Sequence, residues 1–163
     1  MLEKQGLCKI LGIDCNTTGM LDEWREMAHD LDKLTESVTI AMVGKYTDLS
    51  DAYLSVIKSL QHAAMKVRRK LAINWIEARH LEEQWQEKNG EEYAAAWQDL
   101  KSSNGILVPG GFGDRGVEGK INAAKYAREN NIPYLGICLG LQVATIEFCR
   151  NVLGMKGANS TEF

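Results

Sequence analysis

The sequence predicts an α/β fold built around a mostly parallel sheet. After residue 36, four short β-rich runs alternate with segments whose apolar residues recur at helical spacing, which is the pattern of βα units. The chain has 163 residues, of which 45% are hydrophobic, so it can form one core of ordinary domain size. These observations favour one globular unit whose chemistry lies where the parallel strands end.

The segment before the first strand contains one predicted helix. Its apolar residues recur at helical spacing and are Leu21, Trp24, Met27, Ala28 and Leu31. Because a stripe of this kind is stable only when it is covered, we expect it to need a partner surface.

The predicted strands span residues 38–43, 71–76, 105–108 and 133–137. The second run alternates polar and apolar residues, which places it nearer an edge of the sheet than the centre. The helices predicted after the first, second and fourth strands span residues 52–67, 93–100 and 139–152. The charged stretch 77–92 is given no regular element.

Composition excludes several functional classes. The formal net charge of −3 shows no positive field for nucleic acid or an anionic membrane. The longest apolar runs are far shorter than the roughly 20 residues that span a bilayer, and the first residues lack the pattern of a signal peptide. We therefore expect a cytoplasmic protein with no membrane partner and no nucleic-acid partner.

Cysteine and histidine spacing gives no metal site. The four cysteines are Cys8, Cys15, Cys138 and Cys149. They form no Cys-x-x-Cys pair, and the three histidines form no close pair, so neither zinc nor a disulfide framework is predicted.

Two further patterns allow a structural and a functional interpretation. The basic cluster 66–70 falls at the end of a predicted helix, where cations complement the helix dipole, and we prefer this interpretation to a phosphate site. Trp75, Tyr93 and Trp97 have few basic residues among them, so we interpret them as packing residues rather than platforms for bases.

The strongest chemical pattern follows the fourth predicted strand. Gly136-Ile137-Cys138-Leu139-Gly140 has the form of a nucleophile elbow with cysteine in place of serine. A sharp turn from strand to helix strains the nucleophile's backbone, and side chains two residues away on either side would collide. The turn also aims the sulfur at a helix amino end, whose dipole favours the thiolate. The alternative is a packing cysteine between two glycines. Cys149 lies on the helix that follows, and we interpret it as a core residue.

A glycine-rich loop follows the third predicted strand. Pro109-Gly110-Gly111-Phe112-Gly113 can present bare backbone N–H groups. The ends of neighbouring strands would bring Gly111 close to Cys138, and the Leu139 N–H comes directly after the nucleophile. Two such N–H groups would form an oxyanion hole. A Gly-Lys-Ser/Thr phosphate-binding motif is absent from the sequence, so a phosphate cradle is disfavoured.

These motifs resemble a known family. Leu107 to Gly113 together with Gly136 to Gln142 is similar to the class I glutamine amidotransferases. Within that family, three further segments resemble the CTP synthases: residues 42–46, 115–120 and 158–163. The resemblance implies an open, mostly parallel sheet with helices on both faces, of the flavodoxin-like type, represented here by a truncated, amino-terminal portion. It implies a division into residues 1–36, the tail of a synthetase domain with a linker, and residues 37–163, the amidotransferase portion.

The resemblance also implies roles for individual residues. Cys138 would attack the side-chain amide of L-glutamine and release ammonia, and the N–H groups of Gly111 and Leu139 would hold the oxyanion. The residues implied to bind glutamine are Gly111, Leu139, Gly140, Leu141, Gln142 and Glu162.

The family enzyme uses the ammonia in a separate synthetase domain of the same protein. There ATP, with Mg²⁺, activates UTP for conversion to CTP, so the amidotransferase portion itself needs no cofactor. The resemblance further implies a homo-oligomer, which is a tetramer in the family.

One departure from the family concerns the catalytic base. Members supply a histidine and a glutamate from a His-Pro-Glu motif downstream of the cysteine, whereas no histidine follows His80 here. We therefore expect the chain alone to be inactive. The alternatives are a short product that binds glutamine or a family partner without turnover, and a different member of the cysteine-elbow superfamily.

Overall fold

The computed structural model describes residues 10–12, 21–45 and 50–163. Four parallel strands form the sheet in the order β2-β1-β3-β4. Their bounds are Ser37–Gly44 for β1, Lys70–Glu77 for β2, Gly105–Val108 for β3 and Tyr134–Gly136 for β4. All four predicted strands are confirmed within one residue at each end, and β2 lies at an edge as the sequence indicated.

The helices connect these strands. Their bounds are Asp22–Asp32 for α1, Leu54–Lys66 for α2, Glu83–Lys88 for α3, Gly90–Ser102 for α4, Val117–Glu129 for α5 and Leu139–Asn151 for α6. Short 3-10 helices occupy Ser50–Tyr53 and Ala78–Leu81. Because the strand order changes direction after β2, right-handed crossovers place α2 on one face of the sheet and α4 and α5 on the other. The α/β prediction is thereby confirmed.

Three details differ from the sequence prediction. The charged stretch after β2 is structured, since it contains the second 3-10 helix and α3. Helix α4 begins three residues earlier than predicted because the side chain of Asn89 accepts a hydrogen bond from the Glu92 N–H, at 3.3 Å, and caps it. Helix α5, which was not assigned, joins the glycine-rich loop to β4.

The core lies between the sheet and helices α4 to α6. Strand β1 contributes Ala41 and Val43, β3 contributes Val108, and α6 contributes Val143, all of them fully buried. Burial of apolar surface at about 25 cal/mol per Å² drives this packing and fixes the positions of the strand ends. The carboxyl ends of β3 and β4 are therefore held side by side.

Helix α1 differs from the other long helices because none of its residues is buried. Its predicted stripe is present, and Trp24 remains 65% exposed. The stripe faces α2 across a cavity of about 680 Å³ whose lining includes Met27, Leu31 and Met65. Within the described ranges, no helix is both long and apolar enough to cross a membrane.

Candidate active site

Cys138 occupies a strained turn between β4 and α6. Its backbone lies at φ 54°, ψ −108°, a region that residues other than glycine rarely adopt. A Cβ on Gly136 would overlap the backbone of Gly140, and a Cβ on Gly140 would overlap the Val108 carbonyl oxygen. The predicted elbow geometry is thus present, with both flanking glycines required by the close approach of backbone. Cys138 is exposed.

The amino end of α6 leaves one N–H group directed away from the helix. Gly140 donates to the Ile137 carbonyl at 3.0 Å, and Leu141 and Gln142 donate to the Cys138 carbonyl at 3.0 and 3.2 Å. Among the described residues, none accepts a hydrogen bond from the Leu139 N–H. Since the helix amino end carries a partial positive charge, this donor is suited to an anionic ligand.

The other α6 residues that are predicted to bind glutamine lie on its first turn. The Leu139 side chain is buried, while that of Leu141 is exposed on the first turn. Gly140 is buried, and its carbonyl oxygen accepts a hydrogen bond from the Tyr134 hydroxyl at 2.8 Å. Burial raises the pKa of Tyr134, so this hydroxyl keeps its proton and remains a donor.

The glycine-rich loop after β3 contacts the nucleophile. A Cβ on Gly110 would lie 3.3 Å from the Cys138 Cβ and 3.8 Å from its sulfur. Sequence reasoning named Gly111 and missed Gly110, although Gly110 is the glycine nearer the strand end. A Cβ on Gly111 would lie 4.0 Å from the Leu139 Cδ2 and 3.9 Å from the Lys120 Nζ. The loop, the nucleophile and the start of α6 therefore form one site.

Two buried lysines lie against this loop, and sequence reasoning missed both. The Lys45 ammonium group donates to the carbonyl oxygens of Phe112 and Gly113, the second at 2.8 Å. Lys120 is 1% exposed, and its Nζ lies near Gly111. The signals in the sequence were that Lys45 follows β1 directly and that both lysines lie in the segments 42–46 and 115–120, which resemble the CTP synthases.

Burial sets the charge balance of this lysine pair. It lowers the pKa of Lys45, and the Arg115 guanidinium lowers that pKa further. Burial, with the Lys45 charge as the second cause, lowers the pKa of Lys120 to about 8, against the opposing effect of the Glu77 carboxylate. Glu77 also lies 3.5 Å from an Arg115 nitrogen. The base of the loop is thus a predominantly cationic cluster.

The carboxyl-terminal segment brings two predicted residues together. The Gln142 amide donates to the Glu162 carboxylate at 3.1 Å, and its oxygen accepts from the Ser160 hydroxyl at 2.9 Å. Arg150 anchors the segment because its Nε donates to the Ala158 carbonyl at 2.7 Å. Sequence reasoning had named neither Ser160 nor Arg150 individually.

His80 and Cys149 are not part of this site. His80 stacks on Trp85 at 4.9 Å, and its Nε2 lies 3.4 Å from a Glu92 oxygen. Cys149 is half-buried on α6 rather than in the core as expected, because α6 turns that position partly toward solvent. Cys8 and Cys15 lie outside the described residues. In the described part of the chain, no group of three or more histidine, cysteine or acidic side chains could hold a metal ion.

The basic cluster and the aromatic residues have structural contacts. Arg69 forms an ion pair with Glu36 at 2.7 Å. Trp97 packs against the core and meets the Tyr126 ring edge-on at 6.1 Å. Both contacts agree with the structural interpretation.

Comparison with known proteins identifies relatives of this site. A family model described as "Glutamine amidotransferase class-I" matches residues 48–161. The chain is 59% identical to a CTP synthase of Eremothecium gossypii over 144 residues, which is 88% of this chain and 25% of that protein. It is 52% identical to a CTP synthase of Methanocaldococcus jannaschii over 165 residues, covering 99% of this chain and 30% of that protein.

A solved structure is also similar. The glutaminase domain of Trypanosoma brucei CTPS with bound acivicin superposes with a TM-score of 0.67 at 46% identity, covering 78% of this chain and 46% of that one. The chain therefore spans about a quarter of the length of the curated relatives and about half of the solved domain.

Proposed function

The chain belongs to the class I glutamine amidotransferase family, and we propose that Cys138 is the nucleophile of a glutamine-hydrolysing site in a CTP synthase. The observation that carries this proposal is the strained turn that presents Cys138 between the glycine-rich loop and the amino end of α6. The similar glutaminase domain with bound acivicin supports the same assignment.

The reaction begins when the Cys138 thiolate attacks the side-chain amide carbon of glutamine. The carbonyl oxygen becomes an oxyanion, which accepts hydrogen bonds from the N–H groups of Gly111 and Leu139. The carbon–nitrogen bond then breaks, the nitrogen leaves as ammonia after taking up a proton, and a γ-glutamyl thioester remains. Water hydrolyses the thioester to glutamate and restores the thiol.

The rest of the substrate lies along α6 and the carboxyl-terminal segment. The backbone of Gly140 and Leu141 and the side chain of Gln142 line the glutamine site. Glu162 binds the substrate α-amino group, since its carboxylate is exposed and is already oriented by Gln142.

Protonation of the leaving ammonia requires an acid that this chain does not bring to the site. The ring of His80 contacts Trp85 and Glu92 rather than the elbow. We expect the 163-residue chain to release ammonia from glutamine no faster than its Cys138→Ala variant. Turnover near that of a complete amidotransferase, abolished by Cys138→Ala, would show that the histidine is not needed.

In the parent enzyme, residues 1–36 would belong to the synthetase tail and linker and residues 37–163 to the amidotransferase. ATP and Mg²⁺ would act in the synthetase domain, on UTP, within a homo-oligomer. The two sites can be tested separately by supplying either glutamine or free ammonia as the nitrogen donor. In the full-length parent, Gly111→Val should block CTP formation from glutamine and spare CTP formation from free ammonia. The valine methyl groups would extend beyond the Cβ toward Lys120 and Leu139. Equal loss with both nitrogen donors would remove the loop from the glutamine site.

A further inference from the structure

Lys120 is the largest of the fully buried side chains in the described part of the molecule. Its ammonium group lies 3.9 Å from the point that a Cβ on Gly111 would occupy, and the Leu139 Cδ2 lies 4.0 Å from the same point. Burying an ammonium group is costly, and an apolar side chain of the same length would avoid that cost. The position therefore requires an explanation beyond packing.

The fold fixes Lys120 in this position through close backbone contacts. Helix α5 begins after Gly116, which has φ 77°, and a Cβ on Gly119 would overlap the Ala78 carbonyl oxygen. These glycines allow α5 to approach the second 3-10 helix, Ala78–Leu81, without intervening side chains. Lys120, the next residue, is thereby carried beneath the glycine-rich loop.

Charges from three elements surround the Lys120 ammonium group. Lys45 faces it from the end of β1, Glu77 from the end of β2, and Arg115 from the loop before α5. Asp114 is a second carboxylate, which opposes the cations at Lys45. The ammonium groups of Lys45 and Lys120 lie against the loop itself, so positive charge adjoins the Gly111 peptide and favours negative charge that develops beside it.

We propose that Lys120 is a positioning residue for the glycine-rich loop, holding the Gly111 peptide toward Cys138 and stabilising the oxyanion from behind. The inference rests on the proposed glutamine site. Lys120 does not touch the substrate in this scheme, because its side chain is only 1% exposed. Lys45 holds the outer part of the same loop through the Phe112 and Gly113 carbonyls.

The test compares two reagents on the 163-residue chain. A glutamine-analogue chloroketone alkylates Cys138 with loss of chloride and places its carbonyl oxygen in the oxyanion hole, whereas iodoacetamide alkylates the same sulfur without using that hole. Lys120→Met keeps the length and removes the charge. We expect this variant to slow alkylation by the chloroketone about 10-fold, which is less than the loss of an oxyanion donor itself would cause. The rate of alkylation by iodoacetamide should stay within about twofold of the native rate.

Matched variants and the pH dependence distinguish a positioning role of Lys120 from a general disruption of the fold. Lys125→Met, on the exposed side of α5, should leave both rates unchanged, and Lys120→Arg should restore most of the chloroketone rate because arginine stays charged. Since the pKa of Lys120 is lowered to about 8, its charge is present below that pH and lost above it. The chloroketone advantage of the native chain over Lys120→Met should therefore decline between about pH 7 and pH 9.

Each outcome has one meaning. Equal slowing of both reagents, or no slowing of either, would overturn the role of Lys120. Failure of the chloroketone to modify Cys138 in the native chain would overturn the proposed glutamine site and this inference with it. If Lys120→Met does not fold, the native chain is compared with Lys120→Arg. The ratio of the chloroketone rate to the iodoacetamide rate should then fall above pH 8 only in the native chain. A parallel fall in both chains would refute the inference.

Discussion

The two sides of the candidate site are held in place by different physical means. On the elbow side, Gly136 and Gly140 allow backbone to touch backbone, and Cys138 between them has a strained conformation. On the loop side, the Lys45 ammonium group donates to the Phe112 and Gly113 carbonyls, and the buried Lys120 lies beside Gly111. A steric constraint depends little on solution conditions, whereas an electrostatic one responds to pH.

This difference predicts unequal tolerance to substitution, and the largest effect belongs to the elbow. A Cβ introduced by Gly140→Ala would overlap the Val108 carbonyl oxygen, so β3 and α6 would have to separate. We expect overpacking to lower the free energy of unfolding by about 3 kcal/mol, measured by urea denaturation. We also expect alkylation of Cys138 by the chloroketone to slow at least about 100-fold, because a misplaced nucleophile loses its alignment.

Gly157→Ala is the matched control for this variant. No atom lies within 4 Å of the Cβ that it would introduce. Its free energy of unfolding should stay within about 0.5 kcal/mol of the native value, as for other open surface positions. If Gly140→Ala behaved like Gly157→Ala, the close approach at the elbow would not be what shapes the site.

The same difference explains what could be predicted from the sequence. The elbow is encoded in five consecutive residues, so Cys138 and both flanking glycines were identified with their reasons. The loop was recognised as a glycine-rich segment, but the two lysines beside it come from the residue after β1 and from α5. Gly110 was missed because its contact with Cys138 depends on how far β3 extends beside β4, which strand propensity does not specify.

Long-range contacts account for the remaining misses. The 3-10 helix Ala78–Leu81 and helix α3 lie in a charged stretch with weak periodicity. The 3-10 helix packs against α5, and α3 packs against α4 and the 3-10 helix. The family resemblance assigned Gln142 and Glu162 separately to the glutamine site, whereas the hydrogen bond between them and the part played by Arg150 required the fold. The fold class and the nucleophile can thus be recognised from short stretches of this sequence. The contacts that support the loop join residues far apart in the sequence, so they cannot.

The buried ammonium group of Lys120 on the loop side should make the stability of the chain depend on pH. Lys120 has a pKa of about 8 when folded and 10.5 when exposed, so between these values the unfolded chain binds more protons. The free energy of unfolding should therefore rise as the pH rises through this window, by about 1–3 kcal/mol from this group.

Urea denaturation between pH 7 and pH 10.5 measures this effect. The difference in free energy of unfolding between the native chain and Lys120→Met should shift in favour of the native chain as the pH rises, because methionine does not titrate. Lys45 remains in both chains, so its own titration cancels to first order. A difference that is flat with pH, or that falls, would mean that Lys120 is not buried as a titrating cation.

A third prediction concerns the two cysteines of the described region. Cys138 is exposed at a helix amino end and Cys149 is half-buried on the same helix. Iodoacetamide should modify Cys138 at least about 10-fold faster, as read by peptide mapping after brief labelling, because its sulfur is more accessible to the reagent than that of Cys149. Faster labelling of Cys149 would refute the elbow as a reactive site.

The smallest effect is expected at Gly111, where the loop has room that the elbow lacks. A Cβ there would make ordinary contacts of 3.9 and 4.0 Å, and its φ lies outside the left-handed region that favours glycine. Gly111→Ala should therefore alkylate with the chloroketone within about threefold of the native rate, since the N–H group of the peptide is retained.

Gly110→Ala provides the intermediate case on the same loop. Its Cβ would lie 3.3 Å from the Cys138 Cβ, which demands a shift of a few tenths of an ångström and should slow alkylation more than Gly111→Ala does. The order of sensitivity should then be Gly140, Gly110, Gly111. A collapse of the rate in Gly111→Ala equal to that in Gly140→Ala would mean that the loop is as sterically constrained as the elbow, and the lysines would then be unnecessary to explain its position.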